Sequence, residues 1–286
     1  MANFLGPSPE ERPEGRQVVL YGPPFVGKTS SLADPDLKVL LCDMDHNTSP
    51  LDNADNVTVY PIDHFDTDKD DTKRLGYDNS YMEFKRSIER GYFVIKGEKV
   101  PVPKVDVVAF DGFTRFEELV KYWVANVFAP NRSREIQGKF GAQTDWDDLQ
   151  RTEVEEIRDW QSMTRTKGFC SIWMGHDMAI NSEITKKAAR IQLALQGKYA
   201  GPRIMSAVDA VFYMDKVLDP KDKDKKTFVR GVYTQQFDII QADARMPIEK
   251  REKLPKFIPT VQWSKILPYI GYRKVEESAI TPDSQN

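Results

Sequence analysis

An octet near the start of the chain, Gly22-Pro23-Pro24-Phe25-Val26-Gly27-Lys28-Thr29, constrains the fold of the whole protein. It has the spacing G-x-x-x-x-G-K-[ST], and it is preceded by an apolar run, Val18-Val19-Leu20-Tyr21, that reads as a strand. This pattern is a phosphate loop. Its glycines allow positive φ and a close approach of the backbone to a polyphosphate. Loop N–H groups, and the N-terminus of a helix expected from Lys28 to about Ala33, then face the anion. Lys28 reaches toward the β- and γ-phosphates, and the Thr29 hydroxyl toward Mg²⁺. The nucleotide-contacting stretch is Gly22, Pro23, Pro24, Phe25, Val26, Gly27, Lys28, Thr29 and Ser30.

The rest of the chain reads as alternating strands and helices. Lys38–Cys42 is a buried strand ending in Asp43-Met44-Asp45-His46-Asn47, which puts carboxylates on the ligand-binding rim of an open α/β sheet. Thr58–Ile62 is a third short strand, 63–74 a charged loop, Ser80–Arg90 an amphipathic helix, and Gly91–Pro103 a small hairpin or extended insertion. Val105–Phe110 is a further apolar run that ends on Asp111-Gly112. A strand closing on an acid downstream of a phosphate loop is the Walker B arrangement, so Asp111 joins Thr29 as the pair toward Mg²⁺. A helix from Phe113 carries an aromatic stripe (Phe113, Phe116, Tyr122, Trp123) that reads as core. The polar stretch 130–144 reads as a loop, and Trp146–Thr166 as a long helix. Gly168–Met174 is the fourth buried strand, ending in Gly175-His176-Asp177. Val208–Met214 and 227–234 flank an acidic-basic turn and form a hairpin, Phe237–Gln241 is a last short strand, and Pro247 onward is rich in Pro, Lys and Glu.

Composition narrows the class. A chain of 286 residues with 40% hydrophobic residues supports one large α/β domain with decorations or two small ones, and a net charge of −3 leaves nucleic acid only a local basic patch. Cys42 and Cys170 sit inside apolar runs and read as buried strand residues of a reducing compartment. The Pro- and Glu-rich N-terminus has no signal-peptide core, and no apolar stretch approaches the ~18 residues of a membrane span. The expected protein is soluble and cytoplasmic, without a membrane partner. Its expected organisation is a flexible arm over 1–16, a nucleotide-binding domain over 17–250 with an insertion at about 63–104, and an extension and tail over 251–286. His46 and His64 lack a metal or acid–base pattern and read as structural.

The succession of phosphate loop, acidic strand end, Walker B, polar strand end, basic loop and hairpin resembles RecA-like ATPases. Within them it is similar to the AAA-type phage NTPases, the phage-encoded nucleotide-binding proteins that include single-strand-annealing recombinases. The resemblance covers roughly 17–250, is specific at the phosphate loop, and is looser at CDMDHN, VVAFDGFT and WMGHD. It implies an α/β RecA-like fold with a mostly parallel central sheet flanked by helices and a C-terminal β-hairpin. It implies ATP and Mg²⁺ as ligands, and hydrolysis in which Asp45 stands where relatives carry a glutamate that positions water. Being one methylene shorter, Asp45 reaches that water after a small shift or through a second water; Asp43 is the alternative. His176 takes the place of the γ-phosphate sensor, and Arg245, in ADAR, that of the arginine entering a neighbouring subunit's site, with Arg203 and Lys198 as alternatives. The segment after His176 takes the place of a DNA-facing loop, with Lys186, Lys187 and Arg190 as its phosphate contacts. Tyr199 is the one aromatic platform nearby. The implied activity is an oligomeric ATPase, a ring or filament, acting on single-stranded DNA in phage recombination, repair or annealing. A phage or host replication or recombination protein is an implied partner. The competing reading is a nucleotide-gated scaffold with weak hydrolysis and a protein partner. A small-molecule kinase lacks a lid-like arginine cluster here.

Overall fold

The computed structural model describes residues 15–62, 80–124, 143–181, 188–196, 199–219, 227–246 and 248–272. Six strands form the parallel centre of one sheet: β1 (Gln17–Gly22), β2 (Val39–Asp43), β3 (Val57–Pro61), β6 (Val107–Asp111), β7 (Cys170–Asn181) and β9 (Ala210–Leu218), in the spatial order β9-β1-β7-β6-β2-β3. Antiparallel additions complete it. These are β8 (Ala188–Leu193) on β7, and β10 (Phe228–Tyr233) and the short β11 (Asp243–Ala244) on β9. Strand β12 (Phe257–Pro259) pairs with β10. A separate hairpin pairs β4 (Tyr92–Ile95) with β5 (Glu98–Pro101), as expected for that insertion. This is the mostly parallel, helix-flanked α/β sheet with a late hairpin that the sequence implied.

The period of two in the strands sorts their side chains into two cores. Val19 and Tyr21, Val108 and Phe110, and Trp173 face one side. There α1 (Ser80–Arg90), α2 (Phe113–Trp123), α3 (Gln143–Lys167) and α4 (Ala200–Ala207) cover them. Val18 and Leu20, Val107 and Ala109, Ile172 and Met174 face the other side, under the turn after the phosphate loop and the C-terminal segment. Phe113, Phe116 and Trp123 are core, as their spacing indicated; the Tyr122 side chain lies outside the described residues. Phe110 stacks flat on Trp173, with centroids 3.9 Å apart, and Phe113 and Phe116 close around the same indole. Cys42 and Cys170 are buried, unbridged strand residues. Among the described residues no helix is long and apolar enough to cross a membrane.

Four local expectations change. The helix expected from Lys28 to about Ala33 is a single 3₁₀ turn, Thr29–Leu32, and Asp34 just beyond it accepts from Ser264 of the C-terminal segment. A helical turn would bring Lys186 and Arg190 near one face, but Arg190 lies in a strand, opposite Ile180 in the β7–β8 hairpin, and Lys186 lies outside the described residues. The strand expected at Phe237–Gln241 is a tight turn closed by reciprocal Phe237–Ile240 backbone bonds, with a single parallel bridge from Ile240 to Ile191 of β8, and the pairing with β9 falls to Asp243–Ala244. Within the extension expected over 251–286, residues 251–272 add β12 to the sheet and bury Trp263, Ile266, Leu267 and Ile270 in its second core. Residues 1–14 of the arm expected over 1–16, the charged loop 63–74, most of the loop 130–144, Lys186, Lys187, Lys198 and the hairpin tip 220–226 lie outside the described residues.

Candidate active site

The C-terminal ends of β1, β6 and β2 meet in register beside the middle of β7, which runs on to Asn181 instead of ending at Met174 as expected. Gly22 lies beside His176, Asp111 beside Met174, and Asp43 beside Asp111. Loops leaving these ends wall a cavity of about 410 Å³. Pro24, Phe25, Gly27, Lys28, Thr29 and Ser30 line it, with Asp45, Asp111 and His176 opposite. Five residues from four separate sequence segments, Lys28, Thr29, Asp45, Asp111 and His176, therefore converge on one space.

The loop's shape follows from its glycines in two ways. Gly27 has φ +99°, a conformation L side chains avoid. At Gly22 the constraint is space: a Cβ there would lie 2.2 Å from the Met214 carbonyl oxygen of β9. Val26 points away from the cavity into the core, and the carbonyls of Gly22 and Pro23 accept from the Lys28 ammonium at 2.9 and 2.8 Å. Lys28 is thus buried within the loop it belongs to. Burial pulls its pKa down, while Asp111, Asp177 and Asp45 act against that pull. With only one 3₁₀ turn behind the loop, the donors available to an anion there are loop N–H groups and the Lys28 ammonium rather than a helix dipole.

Thr29 Oγ1 donates to Asp111 Oδ2 at 2.6 Å, which places a hydroxyl and a carboxylate side by side. Burial pushes the Asp111 carboxyl up to about 6; the Thr29 bond and Lys28 lower it, and Asp45 and Asp43 raise it. A pair of hard oxygens beside a lysine suits Mg²⁺ held mainly by nucleotide phosphates and water. The chain itself offers no cluster of three or more metal-ligating side chains among the described residues.

Asp43 and Asp45 have different environments. Asp43 is buried, and its carboxylate accepts the backbone N–H of His46 at 2.9 Å, fixing the turn at the strand end. Asp45 is exposed and lies against Gly112, where a Cβ would sit 2.6 Å from Asp45 Oδ1. Of the two, Asp45 lines the cavity. His46 has φ +53°, and its ring nitrogen meets the Ile62 carbonyl at 2.6 Å, a structural placement; His64 lies outside the described residues. His176 is exposed on the cavity wall. Desolvation and Lys28 lower its pKa, against Asp45 and Asp177, so its neutral imidazole is favoured.

The other expected residues lie elsewhere. Arg245 follows β11 and bonds through its backbone N–H to the Asp209 carbonyl, at the sheet edge opposite the cavity, so it does not reach its own chain's site. Arg203 is exposed on α4, beside Asp147, Asp148 and Glu155 of α3. Arg190 and the exposed Tyr199 do not line the cavity. Among the lining residues not named as site residues are Gly112, Asn47 and Arg230. Gly112 was legible as the small residue after the Walker B acid. Arg230 sits in a hairpin strand, and nothing in the sequence marks it.

The fold and this cavity define a P-loop nucleotide-binding α/β protein. The family model described as an AAA domain (AAA_24) matches residues 14–246, and the chain belongs to that family. A solved structure of similar fold is the crystal structure of the RadB recombinase, with 14% identity and a TM-score of 0.34, over 78% of this chain and 81% of that chain. At that TM-score the likeness says nothing about activity. No curated protein sequence matches this chain.

Proposed function

We propose that this protein binds ATP with Mg²⁺ and hydrolyses it as an oligomeric, RecA-like ATPase acting on single-stranded DNA in phage recombination, repair or annealing. The observation that carries the nucleotide part is the convergence of Lys28, Thr29, Asp111, Asp45 and His176 on one cavity. Lys28 exchanges the Gly22 and Pro23 carbonyls for phosphate oxygens, so a preformed cation meets the charge that develops on the γ-phosphoryl group. Thr29 and Asp111 would hold the metal, which when bound neutralises phosphate charge. Asp45, exposed beside Gly112, orients the attacking water and accepts its proton. His176, favoured as neutral imidazole, contacts the γ-phosphate and reports its loss through β7 to the β7–β8 hairpin.

The DNA part rests on the resemblance and on the position of that hairpin directly beyond His176, with Lys186, Lys187 and Arg190 as phosphate contacts. Arg245, at the far sheet edge, is available to a neighbouring subunit rather than to its own site. The second reading, a nucleotide-gated scaffold with weak turnover and a protein partner, is favoured by the short reach of Asp45 and the net charge of −3. The deciding experiment is ATP turnover with and without single-stranded DNA, at a measured oligomeric state. DNA stimulation supports the recombination reading. Nucleotide binding without a DNA response supports the scaffold, and undiminished ATP binding by Lys28→Ala overturns the site itself.

A further inference from the structure

Arg230 is a charged residue of the cavity wall that the proposed nucleotide mechanism does not use. Its backbone is fixed on both sides. Within β10 it pairs opposite Lys216 of β9, and its carbonyl accepts the Thr260 N–H at 2.9 Å beside β12. Its side chain lies across the phosphate loop: a Cβ built on Gly27 would be 3.0 Å from Arg230 Nη1 and 3.3 Å from Cδ. The absence of a side chain at Gly27 therefore admits the guanidinium as well as the loop's positive φ. The exposed side chain makes no hydrogen bond or ion pair among the described residues. A planar group with five N–H donors thus lies over the phosphate loop with no acceptor among the described residues.

The direction of approach is informative. In the sheet order β10-β9-β1-β7-β6-β2, Asp111, Asp45 and His176 come from the β7-β6-β2 side of the loop, and Arg230 from the opposite side. The terminal phosphate and the attacking water belong with the first group. We infer that Arg230 is a nucleotide-binding residue acting in its own chain. Its guanidinium forks onto the phosphate chain on the nucleoside side of Gly27, holding di- and triphosphate alike. The inference rests on the proposed nucleotide site.

The test is the affinity of the full-length protein for Mg·ADP and Mg·ATP by calorimetry, for the wild type, Arg230→Ala and Arg230→Gln. The glutamine variant keeps a stem over Gly27 while removing the charge, and melting without nucleotide checks that both variants fold. Loss of a charge-assisted contact weakens binding roughly 10- to 100-fold. The expected result is that loss for ADP and ATP equally, in both variants. Unchanged affinities, or a loss confined to ATP, overturn the inference while leaving the site intact. A wild-type protein that binds neither nucleotide overturns the nucleotide-site reading and this inference together.

Discussion

The indole N–H of Trp263 donates to the Ser31 hydroxyl at 3.1 Å, and that hydroxyl donates in turn to the Lys28 carbonyl at 2.5 Å. A residue beyond the end of the family match is thereby tied to the phosphate-loop lysine. A second tie runs beside it: Asp34 accepts both the backbone N–H and the hydroxyl of Ser264, at 2.8 and 2.9 Å. Trp263 itself is buried against Phe212. These bonds stand in for the longer helix that the loop lacks, since one 3₁₀ turn has few backbone bonds of its own.

Trp263→Phe keeps most of the buried ring and removes the donor. Ser31 retains its bond to Lys28, so the expected cost is about 1 kcal/mol of stability and a several-fold weaker Mg·ATP affinity. Trp263→Ala also leaves a cavity and is expected to cost about 3–5 kcal/mol. Denaturant unfolding and nucleotide titration check both. Wild-type ATP affinity in a folded Trp263→Phe would separate this segment from the loop.

Gly112 carries φ +106° and faces Asp45. In Gly112→Ala the methyl group would meet Asp45 Oδ1 at 2.6 Å and the Met44 Cβ at 3.2 Å, in a backbone region costly for any L side chain. The carboxylate must move. The expected outcome is a loss of about 1–2 kcal/mol in stability together with a larger fractional loss of ATP turnover than of ATP binding. Thermal melts and single-turnover assays read the two effects separately.

Glu117 and Glu153 are buried carboxyls between α2 and α3. Burial pushes Glu117 up to about 7, against the Gln196 N–H that it accepts and Lys121, and pushes Glu153 well above the carboxylate range, with Glu117 adding to the rise. Neither Glu153 oxygen has a hydrogen-bond partner among the described residues. A carboxyl whose pKa is raised on folding binds protons more tightly in the native state. Its contribution is fully present below the unfolded value of about 4.5 and is lost as pH rises through about 7. The wild type should therefore lose stability from about pH 5 to about pH 8. Glu153→Gln is expected to flatten that slope and raise the melting temperature at about pH 8 by a few degrees. Melts of both proteins across this pH range test the sign; a steeper slope in the variant would contradict it.

Much of this was legible in the sequence because strands of a parallel sheet are continuous apolar runs, and their acidic or polar ends mark the rim. Gly22–Thr29 and Asp111 could be placed from that alone, whereas the choice of Asp45 and His176 came from the resemblance to RecA-like ATPases. A basic pair four residues apart, Lys186 and Arg190, fits a helical turn, while β8 shows no period-two alternation to mark a strand: it is exposed at Ala188 and buried at the adjacent Gln192 and Leu193. The C-terminal segment was hidden by its Pro, Lys and Glu content, although Trp263, Ile266, Leu267 and Ile270 recur at the spacing of an apolar helical face and all are buried. Arg230 could not have been found: its place in the site comes from the pairing of β10 with β9, a long-range contact with no local pattern.

Asp45 decides between the two functional readings. Its neighbour in the strand end, Asp43, is committed to the His46 N–H, whereas Asp45 is exposed and faces the cavity from beside Gly112. Asp45→Asn preserves size and position and removes the proton acceptor. If Asp45 positions and deprotonates the attacking water, DNA-stimulated turnover should fall about 10²- to 10⁴-fold with ATP affinity nearly unchanged. Asp43→Asn should instead cost stability, by weakening the acceptor that holds the His46 turn, and leave a smaller mark on turnover per folded molecule. Rapid-quench measurement of the chemical step in both variants distinguishes them. Wild-type turnover in Asp45→Asn would remove this residue from the chemistry, and with it the main structural support for hydrolysis over nucleotide-gated assembly.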